Sequence, residues 1–147
     1  MNGDSNSDFK NRVRDYLKKQ HFMHLVNYDL DTIELGQTTG FLEIKEAHLQ
    51  QFGRVHGGVI ATILDINMGF AAYTTVTRDQ HVVTGELKVS YLRPGKPSRL
   101  KVVGTVLKSG KKVVFCEGEV WQIEKDQAVH LIAKASSTMM VIPLDQG

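Results

Sequence analysis

The longest apolar segment of the chain has the period of an α-helix. From about Val59 to about Val76, large apolar residues recur every three or four positions, which is typical of a helix that packs on a sheet. Two glycines, Gly57 and Gly58, precede this helix, and one carboxylate, Asp65, stands in its middle. Burying a lone charge is costly unless the charge is paired or used in chemistry. Asp65 is therefore the first candidate functional residue.

A helical wheel gives this helix two unlike faces. On the face opposite Asp65, contact with a sheet is expected for the larger residues Ile60, Ile63, Asn67, Phe70 and Thr74. The face of Asp65 itself carries the small residues Gly58, Ala61, Gly69 and Ala72. A glycine inside a helix costs about 1 kcal/mol, so this composition needs a reason. We favour a second helix or a ligand on the small-residue face over a bend or a plain surface stripe.

After the helix, the pattern changes to the alternation of β-strands. Four strands are predicted, at residues 81–94, 99–108, 113–123 and 128–142. The last three follow one another across short turns, which predicts an antiparallel meander. Phe115 and Trp121 share one face of a strand and are expected in the core.

Before the helix, the pattern is weaker. Residues 1–7 are expected to be disordered, and a helix is predicted from Ser7 or Asp8 to about His21. Residues 31–45 predict either one strand or two short strands joined by a turn. Together these elements predict a single α+β domain over residues 1–147, with a curved sheet wrapped round one long helix and an extra helix at the N-terminus.

Composition narrows the class of protein. A net charge of +2 is too small to indicate nucleic-acid binding, and the N-terminus lacks the apolar segment of a signal peptide. The single cysteine, Cys116, is expected to be a buried structural thiol. The histidines lack metal-ligand spacing, so neither a metal nor another cofactor is expected. No apolar run is long enough to span a membrane, and we expect a cytoplasmic protein.

The glycine pair points to the second half of a site. The first N–H groups of a helix have no partner within it and carry the positive end of its dipole. Because Gly57 has no side chain, a substrate could reach its N–H, which suits the oxyanion that develops in acyl transfer. The alternative is a plain glycine turn into the helix.

Distance decides how the acid and this donor could meet. Gly57 and Asp65 are eight residues apart, which is about 12 Å along a helix. One straight helix cannot bring its own acid to its own N-terminus. Two antiparallel helices, one from each subunit of a symmetric dimer, could do so, which predicts two shared sites per dimer.

Two segments resemble a known family. The sequence "QQFGRVHGGVIATILD", followed by "VTGELKVSYLRP", resembles the hotdog-fold acyl-CoA thioesterases. The branch that it resembles most contains the phenylacetic-acid-degradation and 4-hydroxybenzoyl-CoA thioesterases. The resemblance covers about Leu49 to Val141. It implies a hotdog fold, an acyl-CoA substrate, and subunits joined through a continuous sheet as a homodimer or a dimer-of-dimers tetramer.

The resemblance also implies roles at matching positions. Asp65 matches the family's nucleophile or general base, and Gly57 matches the glycine whose N–H polarises the thioester carbonyl. His56 matches a histidine that shapes the site, and Gln50 an amide near the reacting carbonyl or water. Thr84 lies where many members carry a hydroxyl close to the acid. The choice between nucleophile and base, and the identity of the acyl group, stay open.

Basic residues are concentrated in one stretch. From Lys88 to Lys112 the chain has eight Lys or Arg and no Asp or Glu. Cations at the mouth of a site bind phosphates such as those of coenzyme A, whereas the alternative is a strand edge protected by lysine. Arg93 is the first candidate for a phosphate contact, followed by Lys88 and Lys96, and Gly58 is expected beside the substrate. Few aromatic residues are interleaved with these charges, which argues against nucleic acid.

Three functions are therefore considered. Hydrolysis of an acyl-CoA thioester by Asp65 of one subunit and Gly57 of the other is the leading hypothesis. A hotdog hydratase or dehydratase is the second, although its usual proline-bearing motif is absent. A non-catalytic acyl-CoA-binding regulatory module is the third, but binding alone does not require a carboxylate in this helix.

Overall fold

A six-stranded antiparallel sheet packs against one long helix. The computed structural model describes residues 8–145, so the segment 1–7, for which disorder was predicted, lies outside the described residues. The helices are α1 Asp8–Leu17, α2 His21–Val26 and α3 Gly57–Tyr73. The strands are β1 Asp29–Glu34, β2 Gln37–Glu43, β3 Gln80–Tyr91, β4 Arg99–Ser109, β5 Val113–Glu124 and β6 Gln127–Pro143. The predicted α+β architecture is confirmed.

The order of strands across the sheet is β1-β2-β4-β5-β6-β3. The meander predicted for the last three strands is confirmed, because β4, β5 and β6 are neighbours in this order. Between the two readings of residues 31–45, the structure selects two strands, which meet at Gly36 in a left-handed conformation with φ of 74°. The sheet ends at β3, a strand of 12 residues that pairs only with β6 among the described strands.

The core lies between α3 and one face of the sheet. The helix buries Ile60, Ile63, Leu64 and Met68 against apolar side chains of the strands. Burial of this apolar area is the main favourable contribution to folding. The short helix α1 adds a second apolar contact through Phe9, Val13 and Leu17.

Several predicted details were wrong. The N-terminal helix ends at Leu17 instead of His21, and the separate helix α2 was missed. In α2 only Met23 is buried, so six residues carry too little periodicity to predict it. Phe115 is 48% exposed and Trp121 is half-buried, because both lie on the face of the sheet that α3 does not cover.

The prediction for the neighbouring cysteine is confirmed. Cys116 faces α3, with its sulfur 3.6 Å from the Met68 carbonyl oxygen. Burial raises the pKa of the Cys116 thiol to about 11, so it stays protonated at neutral pH.

The long helix begins two residues earlier and ends three residues earlier than predicted. Its first turn includes both glycines because the His56 side chain accepts a hydrogen bond from the Gly58 N–H and caps the helix. At the other end, the hydroxyls of Thr74 and Thr75 donate to the carbonyls of Ala71 and Ala72. These local bonds compete with continued helix and mark its end.

The backbone of β4 touches the backbone of α3 at Gly104. A Cβ at this position would lie 2.5 Å from the carbonyl carbon of Asn67 and 2.7 Å from its oxygen. Thr38 of β2 donates to the same carbonyl at 2.7 Å, and Tyr28 donates to the Asn67 side-chain oxygen. Burial raises the pKa of the Tyr28 hydroxyl, which therefore remains a donor. One helical residue is thus held from three directions.

We expect Gly104→Ala to lower the free energy of unfolding by about 1–3 kcal/mol or more, because the added methyl group would overlap backbone atoms of Asn67. Gly69→Ala is the matched control. There the added Cβ would only touch Met139 at 4.0 Å, and loss of a helical glycine should stabilise the protein by up to about 1 kcal/mol. Urea unfolding followed by circular dichroism measures both. Equal free energies of unfolding for the two variants would contradict this packing.

Candidate active site

Asp65 faces a cleft instead of the core. Its side chain is half-buried, and the cleft has a volume of about 290 Å³. Thr84 of β3 donates a hydrogen bond of 2.6 Å to Asp65 Oδ1, as the resemblance implied. The charge that looked buried in the sequence thus has both a donor and access to water, so the helix carries it without the full desolvation cost.

The far side of this cleft is aromatic. Tyr16 of α1 and Tyr73 of α3 meet edge to face with ring centroids 5.0 Å apart, and Phe70 lies beside them. Burial, together with the neighbouring Tyr16, raises the pKa of Tyr73 to about 12. The remaining lining residues are Gln20, Ile66, Gly69, His81, Val82 and Met139. The cleft thus combines apolar side chains with several polar groups, as small-molecule sites commonly do.

This lining corrects one part of the helical wheel. Phe70 was expected to face the sheet, but its half-buried side chain also lines the cleft of Asp65. Residue 70 is about 140° round the helix from residue 65, so its ring reaches the flank of α3. The second helix expected on the small-residue face is in part α1 of the same chain, since Tyr16 lines the cleft together with Gly69.

The first turn of α3 presents one available N–H group. His56 Nδ1 accepts from the Gly58 N–H at 2.8 Å, so this second glycine is engaged by the cap. No described residue accepts a hydrogen bond from the Gly57 N–H. Such a group at the positive end of a helix is a donor for a developing oxyanion.

Tyr91 was missed as a site residue. Its hydroxyl donates to the Gly57 carbonyl oxygen at 2.9 Å, and its ring lies 3.5 Å from the position that a Gly57 Cβ would occupy. The only signal for Tyr91 in the sequence was its position in the segment "YLRP". That segment is part of the motif that resembles the family, but the resemblance assigned no role to the tyrosine.

Gln50 is not brought to the acid within one chain. Its side-chain oxygen accepts from the Phe52 N–H inside the turn that precedes α3, and it does not line the cleft of Asp65. The implied role of Gln50 therefore stays a prediction.

Two of the predicted phosphate contacts lie together. Arg93 and Lys96 line a second cleft of about 260 Å³, which also contains Arg54 and His130. This basic cleft is next to the start of α3, because the Val55 N–H donates to the Gly95 carbonyl at 2.9 Å.

Lys88 lies elsewhere, in a groove on the outer face of the sheet beside Glu117 and Lys134. Its proposed contact with substrate stays a prediction. Within residues 8–145, no three His, Cys, Asp or Glu side chains cluster as a metal site would require. No helix in the same range is long and apolar enough to cross a membrane.

The chain therefore holds two half-sites at a distance. One consists of Asp65 and Thr84, and the other of Gly57 and Tyr91. They are separated by about 12 Å along α3 and by about 20 Å along β3.

Comparison with known proteins identifies the family. Residues 52–129, more than half of the chain, match the model of the Thioesterase superfamily. The chain belongs to the thioesterase superfamily, as its two motif segments implied. It is accordingly a thioester hydrolase.

Individual relatives agree with this assignment. The medium/long-chain acyl-CoA thioesterase YigI of Escherichia coli is 33% identical over 100 residues, which cover 59% of this chain and 62% of that relative. The match thus spans less than two thirds of the relative's length.

Solved structures confirm the hotdog fold. A thioesterase family protein from Silicibacter pomeroyi has a TM-score of 0.88 and 26% identity, covering 92% of this chain and 99% of that one. A Streptococcus mutans protein bound to acetyl CoA has a TM-score of 0.70 and 27% identity, covering 80% and 90%.

The cap at His56 can be tested directly. We expect His56→Ala to lower the free energy of unfolding by about 1 kcal/mol, because the Gly58 N–H loses its acceptor. His56→Asn keeps a side-chain oxygen at the cap position and should recover most of this loss. Chemical denaturation of the two variants measures the difference. If alanine and asparagine were equally destabilising, the histidine would act through something other than the cap.

Proposed function

We propose that this protein hydrolyses an acyl-CoA thioester at a site shared between two copies of the chain. Asp65 of one copy attacks the thioester carbonyl or activates water, and the Gly57 N–H of the other copy stabilises the oxyanion. The observation that carries the proposal is the pair of half-sites: an acid oriented by Thr84 and a free donor lie at separate places on one rigid helix.

The free edge of β3 supports a partner of this kind. A long unpaired edge is a template for pairing with another strand. If two β3 strands pair antiparallel about an axis at Lys88, the one-residue bulge at Gly85 lets Thr84 of one copy lie opposite Tyr91 of the other. Such an isologous contact closes a symmetric dimer. It places the acid of each chain near the N-terminus of the other chain's long helix.

The two clefts then divide the substrate between them. The acyl group enters the cleft of Asp65, where aromatic rings and Met139 give an apolar wall. The phosphates of CoA reach the basic cleft of Arg93 and Lys96, beside the Gly57 that polarises the carbonyl. Charged hydrogen bonds from arginine and lysine are strong and suit phosphate.

The chemistry needs only water and the substrate. The carbonyl carbon gains an oxygen from water, directly or through an anhydride with Asp65, and the carbon–sulfur bond breaks. The oxygen from water remains on the acid product, and the thiolate of CoA takes up a proton. No cofactor other than the CoA of the substrate takes part. A pure binding module would have no use for the hydrogen bond that orients Asp65.

Asp65→Asn tests this function. The change keeps the shape of the side chain and removes its charge, so kcat should fall by roughly 10²–10⁴-fold. Release of free thiol from acetyl-, octanoyl-, benzoyl- and phenylacetyl-CoA measures it. Because Asp65 is only half-buried, the free energy of unfolding should change by less than about 1 kcal/mol. Thiol release at the wild-type rate by a folded Asp65→Asn protein would refute the mechanism.

A further inference from the structure

Tyr91 makes two contacts with the same glycine. The hydroxyl donates to the Gly57 carbonyl oxygen at 2.9 Å, and the ring carbons Cε1 and Cζ lie 3.5 Å from the position of a Gly57 Cβ. At the start of the helix, the His56 side chain accepts a hydrogen bond from the N–H of the next residue, Gly58. The Gly57 N–H is the only N–H of this turn without a described partner. Tyr91 binds the carbonyl of the same residue, and His56 binds the N–H of the next residue.

Core packing does not explain this tyrosine. Tyr91 is 52% exposed, the same fraction as the adjacent Leu92, which points away from α3 into a groove on the outer face. An exposed aromatic ring contributes little burial energy, whereas a hydrogen bond to a helix carbonyl fixes a direction.

The strand is built so that Tyr91 faces the helix. Thr84 and Tyr91 are seven residues apart, so regular alternation would place them on opposite faces of β3. The pairing with β6 shifts between Thr84 and Glu86, which leaves Gly85 as an extra residue. After this bulge Tyr91 pairs with the fully buried Ala133, on the same face on which Thr84 pairs with the fully buried Met139. One strand therefore contributes to both half-sites.

We infer that Tyr91 is a positioning residue, which holds the first turn of α3 so that the Gly57 N–H points at the reacting carbonyl. The inference rests on the proposed function. Bulges that turn a side chain toward a site are common near active sites. The hydroxyl of Tyr91 restrains the peptide after Gly57, and the ring blocks rotation of the glycine, whose lack of a side chain would otherwise leave it free.

Tyr91→Phe separates orientation from stability. It removes only the hydroxyl, so kcat should fall roughly tenfold, less than the 10²–10³-fold expected for complete loss of an oxyanion donor. KM should stay within about twofold, because the contact acts on the transition state. Leu92→Ala is the matched control, with equal exposure on the opposite face. Its kcat and KM should equal those of the wild type.

A spectroscopic measurement makes the test independent of turnover. The substrate of the panel that is hydrolysed fastest is labelled with ¹³C at its carbonyl and bound to Asp65→Asn. Infrared difference spectroscopy measures the carbonyl stretching frequency, which polarisation by the donor lowers. In the Asp65→Asn protein, a second substitution Tyr91→Phe should reverse part of this shift, whereas a second substitution Leu92→Ala should not.

The outcomes separate the two claims. Wild-type kcat and an unchanged carbonyl frequency in Tyr91→Phe, with Asp65→Asn still inactive, would overturn the role of Tyr91 and leave the proposed function intact. A loss of kcat accompanied by an equal loss in Leu92→Ala would also overturn it. If the wild-type chain released no thiol from any substrate of the panel, the proposed function and this inference would fall together.

Discussion

The backbone contact between Gly104 and Asn67 is the constraint on which the rest of the site depends. It brings the middle of α3 against β4, and the bonds from Thr38 and Tyr28 fix the rotation of the helix about its axis. Asp65 is two residues before Asn67, on the far side of the helix, so the same contact that buries the asparagine turns the acid outward. A side chain at position 104 would separate helix and sheet and disturb both.

Rigid elements then determine what one chain can and cannot do. Within a straight helix, Gly57 and Asp65 keep a spacing of about 12 Å, so no local movement brings them to one carbonyl. The strand β3 keeps a fixed spacing in the same way, because Thr84 is hydrogen-bonded to Asp65 and Tyr91 to the distant Gly57. A second chain is the simplest way to bring an acid and a donor together. The edge of β3 that pairs with no described strand lies where such a chain could add to the sheet.

The parts of the fold that follow a strict period could be predicted from the sequence. The long helix, the meander and the placement of Asp65 opposite the large apolar face of the helix follow from periods of 3.6 and 2.0 residues, and the glycine donor from its position at the helix start. The short helix α2 could not be predicted, since Met23 is its only buried residue. The outward orientation of Phe115 depends on which face of the sheet the helix covers. An alternating pattern shows that a strand has two different faces, but it does not show which face the helix covers.

The role of Tyr91 was hidden for a related reason. The face of β3 on which Tyr91 lies depends on the one-residue bulge at Gly85. A glycine within a strand indicates that a bulge is possible, but it does not determine the register of the pairing. The resemblance implied that His56 shapes the site, but its action as the cap of α3 required the geometry of the turn. Sequence thus located the candidate residues, whereas their contacts required the fold.

Subunit mixing tests the shared site most directly. An Asp65→Asn chain and a Gly57→Val chain, each folded and each nearly inactive, are combined in equal amounts, and exchange of subunits is verified by native mass spectrometry of differently tagged chains. Random reassortment makes about half of the dimers mixed, and each mixed dimer holds one site with both defects and one with neither. Thiol release is expected to return to about a quarter of the wild-type rate. No recovery after verified exchange would contradict it, and would mean that each site is built within a single chain.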